Sequence, residues 1–277
     1  NTLKLRLLMN QTGMTGRSAY ITSALATTAH EAEDYIAAGE GAWANPGYLQ
    51  SAGKMNPFWE NFYKQDGSQQ SDGLGYYVAG QDAVDLLTAG NDPRRLRFFA
   101  PYTGTSVQGN YFGALVLNLP SVTSKLGPGM LRAYNQDAPI MTEWESLFLQ
   151  AEAVQRGFLT GDAKALYEAA VTESIIYEGG ASGTAAAAAT YLAQPINNVG
   201  WDVSSPLEVI ITQKWLSLNG LNVMPVWTDY RRTGYPDFLH FTADPAAANP
   251  TPPVRLLYPQ TELNVNEANV LANGTIN

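Results

Sequence analysis

The chain has 277 residues, and its hydrophobic content of 45% is enough to form a folded core. Its net charge of −9 and its lack of a long Lys/Arg run argue against nucleic-acid binding. The sequence contains no cysteine, which excludes disulfides, thiolate catalysis and Cys-ligated metals, and it has no apolar run of about 18 residues that would span a membrane.

Residues 1–40 are predicted to be helical. "NTLKLRLLMN" reads as a helix in progress, and "SAYITSALATTAHEAEDYIAAG" continues the pattern until Gly39. The apolar residues of the second segment that fall at helical spacings are Ile21, Leu25, Ala29, Ala32 and Ile36. Since the chain has neither an initiator Met nor a signal-peptide layout, we expect a fragment of a longer protein, whose missing part could have carried a signal or a lipid anchor.

Residues 41–142 are rich in Gly, Pro, Asn, Ser and aromatic residues. Their apolar periodicity is short-lived, except at "AGQDAVDLLTAG", which predicts a helix. The rest is predicted to form long loops with short strands and isolated turns. Long loops inside a compact protein are usually functional, so we expect the ligand site here.

Helices are predicted again from "MTEWESLFLQAEAVQRG", whose apolar residues share one face and whose Gly157 ends the helix. "GDAKALYEAAVTESIIYEGG" follows, with Asp162 as the N-cap and with Tyr167 and Ala170 on its buried face. The pair resembles one tetratricopeptide hairpin, which must stack on further helices to be stable.

Two more helices are predicted in the last third of the chain. "TAAAAATYLAQ" favours a short helix by its alanine content, and "SPLEVIITQKWLSLNG" carries a capping box formed by Ser205 and Glu208 around Pro206. Its apolar face is predicted to hold Leu207, Ile211, Trp215 and Leu218. After residue 228 the sequence is predicted to be turn-rich to its end.

Catalytic motifs are not evident. His30 and His240 lie in no local serine or carboxylate motif, and the sequence has no G-x-S-x-G, P-loop or H-E-x-x-H pattern. A glycosidase needs two facing carboxylates, for which Glu143 with Glu145 or Asp229 with Asp237 could be nominated. The first pair is better explained by its place in the first turn of a helix, and Asp229 by ion pairing with the neighbouring arginines.

Aromatic residues between positions 43 and 112 give a stronger indication of function. They are Trp43, Tyr48, Trp59, Tyr63, Tyr76, Tyr77, Tyr102, Tyr111 and Phe112. Only 15% of the residues are charged, so rings on loops beside amide side chains would bind a sugar by stacking and hydrogen bonds rather than by charge. The alternative for each ring is that it packs beneath its own loop. The ligand-binding candidates are Trp43, Tyr48, Tyr76, Tyr102, Asn110 and Tyr111; Arg95 is a further polar candidate that could instead serve the turn at Asp92–Pro93.

Four segments stand out in the second half of the chain: "PIMTEWESLFLQAEAVQRG", "ITQKWLSLNG", "WTDYRRTGYPDF" and "VRLLYPQTELNVN". They are preceded by "NTLKLRLLM" and by the Asp-Pro-Arg turn in "NDPRRLRFF". In this order the segments resemble the C-terminal half of SusD/RagB-like proteins. The resemblance covers nearly the whole chain and implies a mainly α fold, with tetratricopeptide-like helical hairpins and long irregular loop insertions. It further implies an outer-membrane lipoprotein at the cell surface that binds glycans or other nutrients. Its partner would be a TonB-dependent, SusC-like transporter, and its anchor a lipidated cysteine that this chain does not contain.

In this family the segment "WTDYRRTGYPDF" resembles a structural element rather than a catalytic one. We expect Asp229 to accept hydrogen bonds from Arg231 or Arg232, and Pro236 to fix the turn. The rings expected around the guanidinium groups are those of Trp227, Tyr230 and Tyr235. This cluster is predicted to tie the last long helix to the C-terminal irregular segment, so that Arg231→Ala would lower stability.

The predicted organisation is therefore the C-terminal part of a single SusD-like domain spanning 1–277. Residues 1–40 and 142–277 form the helical scaffold with its irregular C-terminal segment, and 41–141 form the ligand-binding insertion. Three functions remain open: noncatalytic glycan capture for a transporter, a tetratricopeptide-type peptide or protein interaction module, and a polysaccharide-cleaving enzyme. No cofactor is predicted, and a cation near Asp66 or Asp72 has no supporting ligand spacing.

Overall fold

The computed structural model of the chain describes residues 1–28, 35–71, 73–246 and 258–272. The α-helices are α1 (Thr2–Met9), α2 (Ser18–Thr28), α3 (Pro57–Glu60), α4 (Gly73–Tyr76), α5 (Gln81–Ala89), α6 (Arg95–Phe98), α7 (Glu143–Gln155), α8 (Ala163–Glu178), α9 (Ala185–Leu192), α10 (Pro206–Ser217), α11 (Val223–Thr233) and α12 (Gln260–Ala272). The strands are β1 (Ala42–Ala44), β2 (Phe99–Ala100), β3 (Lys125–Leu126) and β4 (Ala138–Met141), and 3₁₀ turns lie at Pro120–Val122 and Gly180–Ser182. The predicted mainly α fold is confirmed.

The central element is α7, which packs against α8, α10 and α1. The hydroxyl of Thr142 caps its N-terminus by accepting a hydrogen bond from Glu145 N at 3.2 Å. The sequence predicts one apolar face, but helices surround α7 so completely that its polar face is buried too. Glu143, Glu145 and Glu152 are therefore buried carboxylates, and each needs a partner or a proton.

Two hydrophobic clusters flank α7. The larger one joins α5, α8, α9 and α10 to α7 around residues such as Trp144, Phe148 and Tyr167. The other joins α1 and α2 to α7 through Leu5, Ile21 and Leu149. The scaffold is thus built on the helices that the periodic segments predict.

Short antiparallel pairings within the loop-rich region 41–141 hold its distant segments together. In the pairing of β1 with β4, Trp43 lies opposite Pro139, and in that of β2 with β3, Phe99 lies opposite Leu126. A single parallel bridge joins Gly80 to Asn110. These pairings fix the position of loops that have little secondary structure of their own.

A buried arginine also holds the loop region to the helices. Arg94, in the turn that starts at Asp92, is fully buried and donates to Asp92 Oδ2 at 2.7 Å. Its remaining N–H groups reach Ser174 at 2.8 Å, Ser217 at 2.9 Å and Gln213 at 3.2 Å. Since α8 carries the first serine and α10 the other two residues, one guanidinium joins the turn to both helices.

Buried ion pairs centre on Arg232, in the segment that the sequence singles out. Arg232 Nε donates to Asp229 Oδ1 at 3.0 Å, and Arg232 also forms a bidentate pair with Glu152. Lys214 Nζ lies 2.9 Å from Asp229 Oδ2, and Arg232 donates to Thr12 Oγ1 at 3.0 Å. The cluster therefore ties α11 to α10, to α7 and to the turn that follows α1.

The sequence predicts that this cluster joins the last long helix, α10, to the C-terminal irregular segment. Lys214 of α10 does pair with Asp229, and the ring of Tyr230 lies 5.2 Å from that of Phe241. The sequence did not predict the further partners Glu152 and Thr12, which lie much earlier in the chain.

The sequence predicts that either Arg231 or Arg232 donates to Asp229. The donor is Arg232, whereas Arg231 is exposed. Gly234 ends α11 with φ of 78°, Tyr235 is half-buried, and the peptide bond to the buried Pro236 is cis.

Other local predictions also need correction. The region after residue 228 is not turn-rich throughout, since α11 continues to Thr233 and residues 260–272 form α12. Ser205 stands at the N-cap of α10 but makes no capping hydrogen bond, so the capping box is absent. Ile36 lies outside any helix, while Ala29 and Ala32 fall outside the described residues.

Candidate functional site

A pocket of about 450 Å³ opens between α5, the loop that follows Gly109, and the C-terminal end of α10. Its polar and aromatic lining residues are Tyr77, Asp82, Phe99, Asn110, Tyr111, Phe112, Trp215 and Asn219. We call this pocket the aromatic groove and define it by these eight residues. Tyr77 and Phe112 are 57% and 74% exposed, so their rings are available to a ligand.

The wall of the groove is set by close backbone packing. Asn110 N donates to Ala79 O at 3.0 Å, and Gln81 N donates to Asn110 O at 3.0 Å. A Cβ at Gly109 would lie 2.1 Å from Ala79 O, so only glycine allows the two segments to approach this closely. This packing places Asn110 and the two rings that follow it beside α5.

Tyr111 is held by polar contacts on both sides. Its hydroxyl donates to Asp85 Oδ2 at 2.7 Å, and its ring centroid lies 4.2 Å from that of His240. His240 Nδ1 is 2.6 Å from Asp82 Oδ1, and its backbone N–H donates to Asp82 Oδ2 at 3.1 Å. The hydrogen bond to Asp85 is the main cause of the raised pKa of Tyr111, so this phenol stays neutral. The ring is thus fixed before any ligand arrives.

Two amide side chains in the groove have hydrogen-bonding capacity left. Asn110 Oδ1 accepts a hydrogen bond from Asn118 N at 2.8 Å, while its Nδ2 has no partner among the described residues. The side-chain amide of Asn219 likewise has no partner in the described part of the chain. Both can donate to a ligand's hydroxyl oxygens, and Asn219 can also accept.

The groove is almost free of charge. Among the lining residues in the described part of the chain, Asp82 is the one acidic side chain, and none is Lys or Arg. A ligand that depends on ion pairs with cationic side chains, such as a phosphate or a sulfated sugar, finds none in this lining. The site suits a ligand with apolar faces and neutral hydrogen-bonding groups.

The predicted ligand residues separate into three groups. Asn110 and Tyr111 lie in the groove. Tyr76 is 78% exposed but is not part of the groove lining, and Tyr48 lines a different pocket of about 290 Å³ beside Phe58. Only two of the candidates are therefore brought together.

Trp43 and Tyr102 are partly buried within the loop region. The ring of Trp43 stacks on Tyr177 at 4.9 Å and lies 6.0 Å from Trp144, so it packs against the main core. Tyr102 N donates to Ser106 O at 3.1 Å within a tight loop. Arg95 donates to Thr105 O at 3.3 Å, while the neighbouring Arg94 takes the structural role in the Asp-Pro-Arg turn.

The sequence missed Trp215 and Asn219, which come from the end of α10. Its helical periodicity places Trp215 on the buried face, whereas the structure leaves the ring half-buried and lining the groove. The signal that could have found them is a Trp and an Asn within the last turn before the helix-ending Gly220. Tyr77 and Phe112 belong to the aromatic residues noted between positions 43 and 112, but they are not among the predicted ligand-binding residues.

Neither predicted carboxylate pair lies in the groove. Glu145 pairs with Arg6 at 2.7 Å, and burial raises the pKa of Glu143 in the first turn of α7. Asp229 belongs to the ion cluster of α11, and Asp237 is exposed. Burial alone would raise the pKa of Asp229, but Lys214 and Arg232 outweigh it and hold that pKa below its ordinary value.

The remaining polar candidates do not form a site. Asp66 accepts hydrogen bonds from Ser68 N at 2.9 Å and Ser68 Oγ at 2.6 Å, as in an Asx turn, and these bonds lower its pKa. His30 and Asp72 fall outside the described residues. Within the described ranges, no group of three or more His, Cys, Asp or Glu side chains is arranged to hold a metal ion.

Comparison with known proteins decides the family. A family model of SusD-like proteins, described as starch-binding and associating with the outer membrane, matches residues 1–259. The chain belongs to the SusD-like family. No curated protein matches it.

Solved structures share the SusD-like fold. A SusD homologue from Bacteroides fragilis NCTC 9343 is 22% identical over 98% of this chain and 61% of its own, with a TM-score of 0.73. A SusD-like protein from Bacteroides thetaiotaomicron VPI-5482 is 26% identical over 98% of this chain and 59% of its own, with a TM-score of 0.71. A protein named as chitin-binding is 22% identical over 100% of this chain and 61% of its own, with a TM-score of 0.70. This SusD-like chain therefore spans about three fifths of their lengths.

The SusD-like assignment agrees with the predicted resemblance and with the mainly helical fold. The family is associated with the outer membrane. Among the helices that the structure describes, none is both long enough and apolar enough to cross a bilayer.

Proposed function

We propose that this SusD-like chain binds an uncharged glycan in the aromatic groove and does not cleave it. The observation that carries the proposal is the lining of the groove. It combines exposed rings with the free amide groups of Asn110 and Asn219, and the described residues of the lining include no Lys or Arg. No other pocket is needed for the proposal.

The chemistry of sugars explains the fit. A pyranose ring has an apolar face of C–H groups and an edge of hydroxyl groups. The face would pack on an aromatic ring such as that of Tyr77 or Trp215, and the edge would bond to the asparagine amides. Binding would then come from buried apolar area and neutral hydrogen bonds, as is usual for pockets of this kind.

Capture without cleavage is supported by the state of the nearby carboxylates. Glycoside hydrolysis requires one carboxyl group to protonate the leaving oxygen while a second acts as base or nucleophile. Asp82 already contacts His240 through both of its oxygens. Asp85 accepts from Tyr111 and Gln81 and is not part of the groove lining. Among the described residues that line the groove, Asp82 therefore has no second carboxylate facing it.

The proposal includes a place and a partner. The family description of starch binding in association with the outer membrane supports a role at the cell surface. We propose that the whole protein is held there by an N-terminal lipid anchor and passes its glycan to a TonB-dependent, SusC-like transporter. The groove would act as the capture site for that transfer.

Isothermal titration with starch-derived and chitin-derived oligosaccharides tests the binding. Wild-type protein should bind at least one series, and Asn219→Ala should weaken that binding about tenfold because a hydrogen bond to the sugar is lost. Asn61 is an exposed asparagine outside the groove, so Asn61→Ala is the matched control and should bind as wild type. Equal affinity of Asn219→Ala and wild type, or release of shorter sugars during the titration, would contradict the proposal.

A further inference from the structure

A second pocket, of about 260 Å³, adjoins the aromatic groove. Trp215 and Asn219 line both. The residues that line only the second pocket are Val223, Val226, Trp227, Tyr230, Leu239 and Phe241. We call it the α11 pocket. Trp215 and Asn219 therefore lie at the boundary between the two cavities.

The rings of the α11 pocket are presented by the segment "WTDYRRTGYPDF". Trp227 and Tyr230 lie nearly parallel, with ring centroids 5.8 Å apart and an interplanar angle of 17°. The same helix sends Asp229 and Arg232 into the buried ion cluster. The ion cluster therefore fixes α11 on one side while its aromatic residues line the α11 pocket. An ion cluster that only stabilises the fold would not require the opposite side of α11 to line a pocket with aromatic rings.

We propose that the α11 pocket is a second sugar subsite, so that the ligand is an oligosaccharide with neighbouring residues on either side of Trp215. The inference rests on the proposed function of the groove and extends it to chain length. Asn219, at the junction, would bond to hydroxyl groups near the glycosidic linkage. One sugar ring would lie against the groove aromatics, and the next against Trp227 or Tyr230.

The chemistry of the pocket favours a sugar over a charged occupant. Apart from Asn219, the lining residues that the structure describes are all aromatic or aliphatic, and none of these is charged. Rings such as these suit the C–H face of a pyranose, and the shared residues Trp215 and Asn219 place this pocket next to the groove. The affinity should then increase with chain length, since each added sugar buries more apolar surface.

A length series tests the inference. Glucose, maltose, maltotriose and maltohexaose, and the matching series from N-acetylglucosamine to its hexamer, would be titrated against wild type and variants. Val223 is 59% exposed at the pocket, and Val223→Glu would place a hydrated charge in it without disturbing a buried contact. Val203 is 84% exposed and lines neither pocket, so Val203→Glu is the matched control. Trp227→Ala removes a ring, with thermal unfolding as the check on folding.

Wild type should gain about tenfold in affinity from monosaccharide to short oligosaccharide, as expected for roughly 50 Å² of additional apolar burial. Val223→Glu and Trp227→Ala should lose that gain and keep monosaccharide binding, while Val203→Glu keeps both. A gain that survives Val223→Glu, or an affinity independent of length, would overturn the inference and leave the proposed function standing. If no sugar of either series binds wild type, the proposed function fails and the inference fails with it.

Discussion

Arg232 and Glu152, 80 residues apart in the chain, form a bidentate ion pair whose side chains are 5% and 0% exposed. Burial alone would lower the pKa of Arg232, but Glu152 and Asp229 outweigh it and raise that pKa, so the guanidinium stays charged. Removal of Arg232 takes one cationic partner from each of two buried carboxylates, leaving Glu152 with Arg156 and Asp229 with Lys214. The pair is therefore central to how α11 is held against the scaffold.

Arg232→Ala is expected to lower the free energy of unfolding by about 3–5 kcal/mol, because it leaves Glu152 and Asp229 buried with fewer partners. The measurement is urea unfolding followed by circular dichroism. Arg231 is the adjacent, exposed arginine of the same helix, and Arg231→Ala should change the unfolding free energy by less than about 0.5 kcal/mol. Equal losses in the two variants would show that the ion cluster is not what stabilises α11.

Glu178 should make the folded state less stable as the pH rises. Burial raises its pKa from 4.5 to about 8, although Arg94 and the hydroxyl of Ser174 oppose that shift. Between these two values the folded state retains a proton that the unfolded state releases. The group's contribution to unfolding free energy therefore falls by up to about 1.4 kcal/mol per pH unit across this window.

Glu178→Gln removes that titration. Relative to wild type, the variant should gain stability as the pH is raised from about 5 to about 8, and its unfolding free energy should depend less on pH. Urea midpoints measured at both pH values provide the comparison, which cancels the titration of other groups. Parallel pH profiles for the two proteins would be inconsistent with a buried, protonated Glu178.

Gly109→Ala tests the packing that forms the groove wall. A methyl group there would meet Ala79 O at 2.1 Å, so the segment carrying Asn110 must move. We expect a loss of about 1–3 kcal/mol in unfolding free energy together with weaker glycan binding. Gly75 has open space around its Cβ position, so Gly75→Ala should have neither effect. Normal glycan affinity in a folded Gly109→Ala variant would show that this wall does not shape the site.

Trp43→Ala separates packing from ligand contact. Because Trp43 stacks on Tyr177 and packs against the core, the variant should lose about 2–3 kcal/mol of unfolding free energy. The folded variant should bind glycans as wild type does, as measured by titration below its unfolding temperature. Tyr77→Ala should show the converse, with weakened binding and nearly unchanged stability, since that ring is 57% exposed. If Trp43→Ala lost glycan binding without losing stability, the result would show that Trp43 contacts the ligand.

The scaffold could be predicted from sequence because its signals are local. Helical periodicity identified α7, α8 and α10, and Asp162 caps α8 as expected, by accepting from Ala165 N at 3.1 Å. Most of α11 was missed because Pro225, and Gly234 and Pro236 after it, look like turn signals. Pro225 stands in the first turn, where a missing N–H breaks no helical hydrogen bond. The burial of the acidic residues of α7 could not be predicted either, because it depends on the neighbouring helices that surround α7 and not on the local sequence pattern.

The groove could be predicted only in part, because it is assembled from distant segments. Loop composition pointed to Asn110 and Tyr111, but the partner surface comes from Trp215 and Asn219, more than a hundred residues later in the chain. Nothing local distinguishes a ring that lines a pocket from one that packs under its loop. Trp43 and Tyr111 both lie in loop-rich sequence and are equally good ligand candidates by composition. The structure distinguishes them, because Trp43 stacks on Tyr177 in the core whereas Tyr111 donates to Asp85 beside the groove.

The most direct test of glycan capture is a crystal structure of the protein grown with an oligosaccharide from whichever series binds. The account predicts an intact sugar chain in the aromatic groove, with a ring against Trp215 and a hydroxyl group within hydrogen-bonding distance of Asn219. A sugar bound elsewhere on the described surface with the groove empty, or a cleaved product lying against Asp82, would contradict it.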